Sequence, residues 1–210
     1  MKLGAALALA TAILAAAAAA APPVTLTLSV TPTSVRYGTP VSASGLLSTQ
    51  KANQTISIEA TPCGTTKATK AATVKTATNG AYKVAVTPTI GASYSATYKR
   101  VKSPATAVTV RPLLKLIRVK RGSFTAQLTA AQAFTGKVVL FQRYSKLKKR
   151  WVRVKKVTLT SSAPGATKPA IVTSASFKSR VARRTRVRLG LTNGQAAPCY
   201  VRSVSASLRA

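Results

Sequence analysis

The side chains that most enzymes use for proton transfer are almost absent from this sequence. It contains no His, and Glu59 is its one Asp or Glu in 210 residues. General acid–base catalysis needs a group whose pKa lies near the working pH, and protein metal sites use the same residue types plus cysteine. Because only Cys63 and Cys199 add to this set, the sequence predicts a protein that is not an enzyme, with no catalytic residues, no metal site and no cofactor.

The dominant chemical property of the chain is instead its positive charge. There are 33 Lys and Arg residues and a formal net charge of +32, with 10 of the 33 in residues 1–110 and 23 in residues 111–210. A field of this size attracts polyanions and is tolerated when counterions or a partner neutralise it. The hydrophobic content of 46% argues against a disordered polycation. We therefore expect the charge to lie on the outer faces of packed elements, mainly in the second half.

Two basic segments are the candidate binding residues. Tyr144 and Trp151 flank the basic hairpin loop within the first segment, where they are placed to stack on a base or a sugar. The alternative is that Trp151 is an ordinary core residue and that the charge reflects solubility or an extreme habitat. Contacts to phosphate polymers would depend strongly on salt, because binding releases counterions. The residues predicted to bind polyanions are Arg143, Lys146, Lys148, Lys149, Arg150, Arg153 and Lys155 in the first segment, and Arg184, Arg186 and Arg188 in the second, where the three arginines are expected to share one solvent face of a strand.

The first 20 residues have the pattern of an export signal. Lys2 precedes an apolar segment, and small residues follow at Ala18–Ala20, which predicts cleavage after Ala20. The alternative is a retained transmembrane helix, since the uncharged segment is close to the roughly 20 residues that a span requires. No later segment is apolar enough to span a membrane. We expect a secreted or surface-associated protein.

Export bears directly on the two cysteines. An exported chain meets an oxidising compartment, so a bridge between Cys63 and Cys199 is expected, which would clamp the two halves of the chain together. Free thiols or an intermolecular bond are the alternatives. No CxxC spacing supports a redox role.

The apolar pattern after residue 21 has the period of two that β-strands show. Ile56 and Ile58 alternate with polar residues, and Asn79-Gly80 is typical of a hairpin turn. The mature length fits two domains of about 90 to 100 residues. We predict an all-β protein of two tandem β-sandwiches, residues 21–110 and a more basic 111–210, with a flexible loop at 161–169 and a turn at 192–195.

Several motifs resemble those of bacterial secreted Ig-like, or fibronectin-III-like, modules. The segment Tyr37-Gly38-Thr39-Pro40-Val41-Ser42-Ala43-Ser44-Gly45 is similar to their "YGxxVxxSG" opening, and 78–88 resembles their "T-(D/N)-G-x-Y-x-V-x-V-x-P" hairpin. Residues 136–142 followed by Trp151 resemble a "GxxVxLQ…W" segment of related modules. The resemblance implies tandem Ig-like sandwiches that act as spacer or adhesion modules. Such modules often bind calcium through an acidic cluster, which this chain lacks.

Together these features predict a non-enzymatic structural or adhesion module whose basic second half contacts anionic cell-envelope polymers, with a protein partner at the cell surface as a further expectation. A dedicated binder of nucleic acid or polyphosphate is the main alternative. An accessory domain for a partner enzyme is a third, which leaves no trace in the sequence.

Overall fold

The computed structural model describes residues 23–210, and the predicted signal peptide therefore lies outside the described residues. The first half contains nine strands. They are β1 (Ser29–Thr31), β2 (Ser34–Arg36), β3 (Val41–Leu46), β4 (Thr55–Pro62), β5 (Thr69–Lys75), β6 (Ala81–Val86), β7 (Ala92–Tyr98), β8 (Val101–Lys102) and β9 (Thr106–Arg111). One sheet has the order β1-β3-β6, and the other has the order β2-β9-β7-β4-β5 with β8 paired to β7.

The second half has nine further strands and one short helix. They are β10 (Leu113–Lys120), β11 (Ser123–Ala130), β12 (Val138–Ser145), β13 (Arg150–Thr158), β14 (Ser161–Pro164), β15 (Ile171–Lys178), β16 (Arg186–Leu191), α1 (Asn193–Ala196), β17 (Ser203–Val204) and β18 (Leu208–Arg209). One sheet has the order β10-β11-β15-β14. The other has the order β13-β12-β16-β17, with β18 paired to β16.

The all-β prediction is confirmed, and its physical basis is alternation along each strand. In β11 every second residue is buried, from Phe124 to Ala130, as expected for a strand with one face in a core. Phe124 of β11 and Phe177 of β15 meet Phe141 of β12 at ring-centroid distances of 5.1 Å each. These three rings join the two sheets of the second half face to face.

None of the four sheets combines strands from both sides of Pro112, which lies between β9 and β10. The predicted division into domains 21–110 and 111–210 stays a prediction. Hydrogen bonds nevertheless connect the two sides closely. The Tyr200 hydroxyl donates to the Thr89 carbonyl at 2.8 Å and accepts from the Ala131 amide at 2.9 Å. Burial raises the pKa of Tyr200 to about 12, so the phenol stays neutral and keeps its proton for Thr89.

The expected cysteine pair is present. Cys63 follows β4 directly and Cys199 lies between α1 and β17, with their Cα atoms 5.3 Å apart. The bond spans 136 residues of sequence, so it ties the first half to the end of the second. The Gly91 amide also donates to the Cys199 carbonyl at 3.0 Å, and the Cys63 amide donates to the Gly91 carbonyl at 2.8 Å.

Three local predictions were wrong. Asn79-Gly80 forms a tight turn in which Gly80 has a φ of 76°, but it does not close a hairpin, because it leads from β5 in one sheet to β6 in the other. The segment 161–169 is not wholly a loop, because Ser161–Pro164 forms edge strand β14 on β15. The segment 192–195 was expected to be a turn, but residues Asn193–Ala196 form one helical turn. At 161–164 small and polar residues suggest a loop, whereas pairing with β15 makes the segment a strand. At 193–196 local hydrogen bonds form the helical turn, in which the Ala196 amide donates to the Thr192 carbonyl at 3.0 Å. Nothing local in the sequence reveals that residues 161–164 can pair with one edge of β15.

Candidate polyanion-binding surface

Strand β12 brings the two basic segments together, because it lies between β13 and β16 in one sheet. Gln142 of β12 is opposite Arg153 of β13 on one side and opposite Arg188 of β16 on the other. Neighbouring strands are about 4.8 Å apart. Two arginines that are 35 residues apart in sequence therefore lie in one row across the sheet.

An aromatic pair lies beside this row. Tyr144 is opposite Trp151, and their rings pack edge to face with centroids 5.5 Å apart. The Arg188 guanidinium lies 4.2 Å from the Trp151 ring centroid, and that of Arg186 lies 5.9 Å from both ring centroids. Cation–π attraction of this kind holds a guanidinium in place while its edges remain available to anions. We call Tyr144, Trp151, Arg153, Arg186 and Arg188 the outer basic face.

Hydrogen bonds fix the arginine side chains further. Arg188 donates from Nε to the Gln142 side-chain oxygen at 2.9 Å, and Arg186 donates from a terminal nitrogen to the Ser207 hydroxyl at 3.2 Å. Partial burial lowers the pKa of Arg188, but a guanidinium in a protein keeps its proton. Val187 and Leu189, which alternate with these arginines, are fully buried. Arg186 and Arg188 therefore lie on one solvent-side face of the strand.

Two of the residues predicted to bind polyanions, Lys155 and Arg143, do not lie on the outer basic face. The register of β12 and β13 shifts between Phe141 and Gln142, so Lys155 is opposite Phe141 and not on the row of Arg153. A shift of this kind reverses which face a residue occupies. The Lys155 ammonium donates to the Lys178 carbonyl at 3.2 Å, at the end of the other sheet. Arg143 alternates with Tyr144 and thus also points away from the outer basic face.

The remaining predicted residues lie in loops at one end of the sheet. Lys146, Lys148 and Lys149 are exposed in the β12–β13 hairpin, and Arg150 begins β13. Arg184 was expected on the strand, but it occupies a turn before β16 with a φ of 61°. Its amide donates to the Ala210 carbonyl at 3.1 Å. In this turn Arg184 lines a groove together with Arg143, Lys146 and Arg209.

A third basic cluster lies outside the predicted set. It lines a cleft between the β10–β11 turn and the end of β15, and its cations are Lys120, Arg121, Lys178 and Arg180. The sequence gives no sign that these cations lie close together, because Arg121 and Lys178 are 57 positions apart. The register of β11 and β15, which places Ser123 opposite Lys178, brings them together.

Acidic side chains do not neutralise these cations. Glu59 lies on β4 in the first half, and its carboxylate pairs with Lys102 at 3.4 Å, as expected for a lone carboxylate in a basic protein. Within residues 23–210 the structure contains no cluster of three or more metal-ligating side chains. Across the same residues no helix is long and apolar enough to span a membrane. The arrangement therefore presents positive charges at fixed positions on a β-sheet.

Comparisons with known proteins add little to this geometry. No family model matches the chain, and no curated protein matches it either. Among solved structures, a marsupial T cell receptor aligns with 90% of this chain and with all of its own length, at 11% identity and a TM-score of 0.32. A similarity at this TM-score carries no argument about fold or function. The all-β class follows from the strands and sheets themselves.

Proposed function

We propose that this protein is a non-enzymatic, exported module that binds anionic polymers of the cell envelope through the outer basic face. The observation that carries the proposal is the convergence of Arg153, Arg186 and Arg188 from two strands around one aromatic pair. Stacking and hydrogen bonds restrict the Arg186 and Arg188 side chains before any ligand arrives. Preorganised cations lose less conformational freedom on binding, which favours affinity.

Charge balance supports the same function. The chain has a formal charge of +32, and its one acidic side chain is already paired with Lys102 in the first half. The cations of the outer basic face therefore depend on solution counterions. A polyanion that replaces those counterions gains their entropy of release, which is the main source of affinity in such complexes. The disulfide supports an extracellular site of action, because such bonds persist in oxidising compartments.

The geometry favours recognition of charge over recognition of bases. Arg188 covers one face of the Trp151 ring at 4.2 Å, and Tyr144 packs against the same indole. Stacking on a base needs an open aromatic face. Of the alternative function, a dedicated binder of nucleic acid or polyphosphate, the nucleic-acid form is therefore less well supported than binding to polymers that present only charge. The aromatic pair acts as a platform for the arginines and not as a reader of bases.

The triple variant R153Q/R186Q/R188Q tests the proposal. We expect it to lose roughly 10- to 100-fold in affinity for heparin at low salt, because three anion contacts disappear. The slope of log K against log salt should become shallower by about 2 to 3. The measurement is a titration at several salt concentrations, with a parallel titration of purified anionic envelope polymer.

A matched control removes the same charge elsewhere. K67Q/K83Q/R100Q also loses three cations, but all three are exposed in the first half, and we expect its affinity to stay within about threefold of the wild type. Equal losses in the two variants would mean that net charge alone attracts polyanions and that the face has no special role. Tighter binding to single-stranded DNA than to heparin of equal charge would favour the nucleic-acid alternative.

A further inference from the structure

Three turns of the second half meet at one end of its two sheets. The β10–β11 turn lies there because Lys120 is opposite Ser123, and the end of β15 joins it because Ser123 is opposite Lys178. In the other sheet, Ser145 is opposite Arg150 beside the hairpin, and Arg186 at the start of β16 is opposite Arg209. The link 179–185 connects β15 to β16 across this end. We call this end the tip.

The outer basic face continues onto the tip without a break. Arg186 belongs to the outer basic face and also lines the tip groove together with Arg143, Lys146, Arg183, Arg184 and Arg209. At the end of β10, the Arg118 side chain donates to the Arg209 carbonyl at 3.4 Å. Because the groove shares a cation with the face, a bound anionic chain can pass from one to the other without crossing neutral surface.

The link 179–185 separates this groove from the tip cleft of Lys120, Arg121, Lys178 and Arg180. Arg180 lies on the cleft side of the link, whereas Arg183 and Arg184 lie on the groove side. The cleft has a fixed shape, because the Ser179 amide donates to the Gly122 carbonyl at 2.9 Å and Lys155 donates to the Lys178 carbonyl. Both contacts hold the end of β15 against its neighbours.

We infer that the outer basic face, the tip groove and the tip cleft form one track for a flexible linear polyanion. The inference rests on the proposed function and adds the path and the ligand class. The face belongs to one sheet and the cleft to the other, and packed sheets lie about 10 Å apart. A ligand on the whole track must bend over the tip within that distance. Duplex DNA, with a persistence length of about 50 nm, resists such a bend, whereas a single-chain polyphosphate follows it.

The experiment compares one flexible and one stiff polyanion on three variants that each lose three charges. The probes are long-chain inorganic polyphosphate and a blunt DNA duplex of the same total charge. The cleft variant is R121Q/K178Q/R180Q, whose side chains are all exposed, and it is measured beside R153Q/R186Q/R188Q and K67Q/K83Q/R100Q. The single variant R121Q serves as a milder version if the triple variant does not fold.

We expect the cleft variant to lose roughly 10-fold or more in affinity for polyphosphate at low salt and less than about twofold for the duplex. Equal losses for both probes, or polyphosphate affinity within about twofold of the control variant, would overturn the track. If the cleft variant matches the control but R153Q/R186Q/R188Q still weakens binding, the track is wrong and the proposed function stands. If none of the three variants differs from the others, both fail.

Discussion

Replacing Cys63 and Cys199 with alanine is expected to lower the free energy of unfolding by about 5 kcal/mol. The bond closes a loop of 136 residues, and the chain-entropy model assigns this loss to the greater freedom of the unfolded chain without the bond. The hydrogen bonds of Tyr200 to Thr89 and of Gly91 to Cys199 remain in the variant. The native arrangement of the two halves should therefore persist at room temperature.

Denaturant unfolding of C63A/C199A and of the wild type measures this loss, with the reduced wild type as a control that should match the variant. Polyanion affinity should be unchanged, because the disulfide lies at the opposite end of the second half from the tip. A loss below about 1 kcal/mol would show that the loop-closure account is wrong for this chain. A loss of polyanion binding in the folded variant would show that the surface depends on the junction.

A second large loss of stability is expected when Phe141, which lies directly beneath the outer basic face, is replaced with alanine. Its side chain is fully buried, and its ring centroid lies 5.1 Å from those of Phe124 and Phe177 in the opposing sheet. F141A would remove these contacts and leave a cavity, at an expected cost of about 3 to 5 kcal/mol. Strand β12 also carries Tyr144 and Gln142, so the arginine row depends on the same packing.

L140A provides the matched control for F141A, because Leu140 is the neighbouring residue and points to the opposite, half-exposed side. We expect it to cost about 1 kcal/mol. Thermal and denaturant unfolding measure the free energy of unfolding of both variants and allow the two losses to be compared. Similar losses for the two would contradict the burial pattern of β12 and with it the assignment of its outer face.

Most strands of the fold were predictable because their apolar residues alternate locally. Ile56 and Ile58, whose alternation with polar residues predicts a strand, are both buried on β4 (Thr55–Pro62). The edge strand β14 was missed because its residues, Ser-Ser-Ala-Pro, have no apolar alternation. β14 is a strand because it pairs with the edge of β15 that β11 leaves available. Whether that edge is available depends on the order of strands in the whole sheet.

The candidate site was predictable as a set of residues but not as a surface. The alternation with apolar Val187 and Leu189 predicts that Arg184, Arg186 and Arg188 share one face of a strand. The structure has Arg186 and Arg188 on that face, but Arg184 in the preceding turn. Lys155 was grouped with Arg153, but the register shift in β12 and β13 separates them. A shift depends on how two strands pair, which no single strand reveals. The cleft of Arg121 and Arg180 was missed for the same reason.

Emission from Trp151 reports directly on whether a polyanion binds the outer basic face, because Trp151 is the only tryptophan in the chain and lies within that face. Titration with polyphosphate at low salt should change its emission and reduce its quenching by acrylamide. Both changes should saturate together with binding and reverse when salt is added, since a higher salt concentration reduces the free energy gained by releasing counterions. Saturated binding that leaves Trp151 emission and quenching unchanged would place the ligand elsewhere and contradict the account.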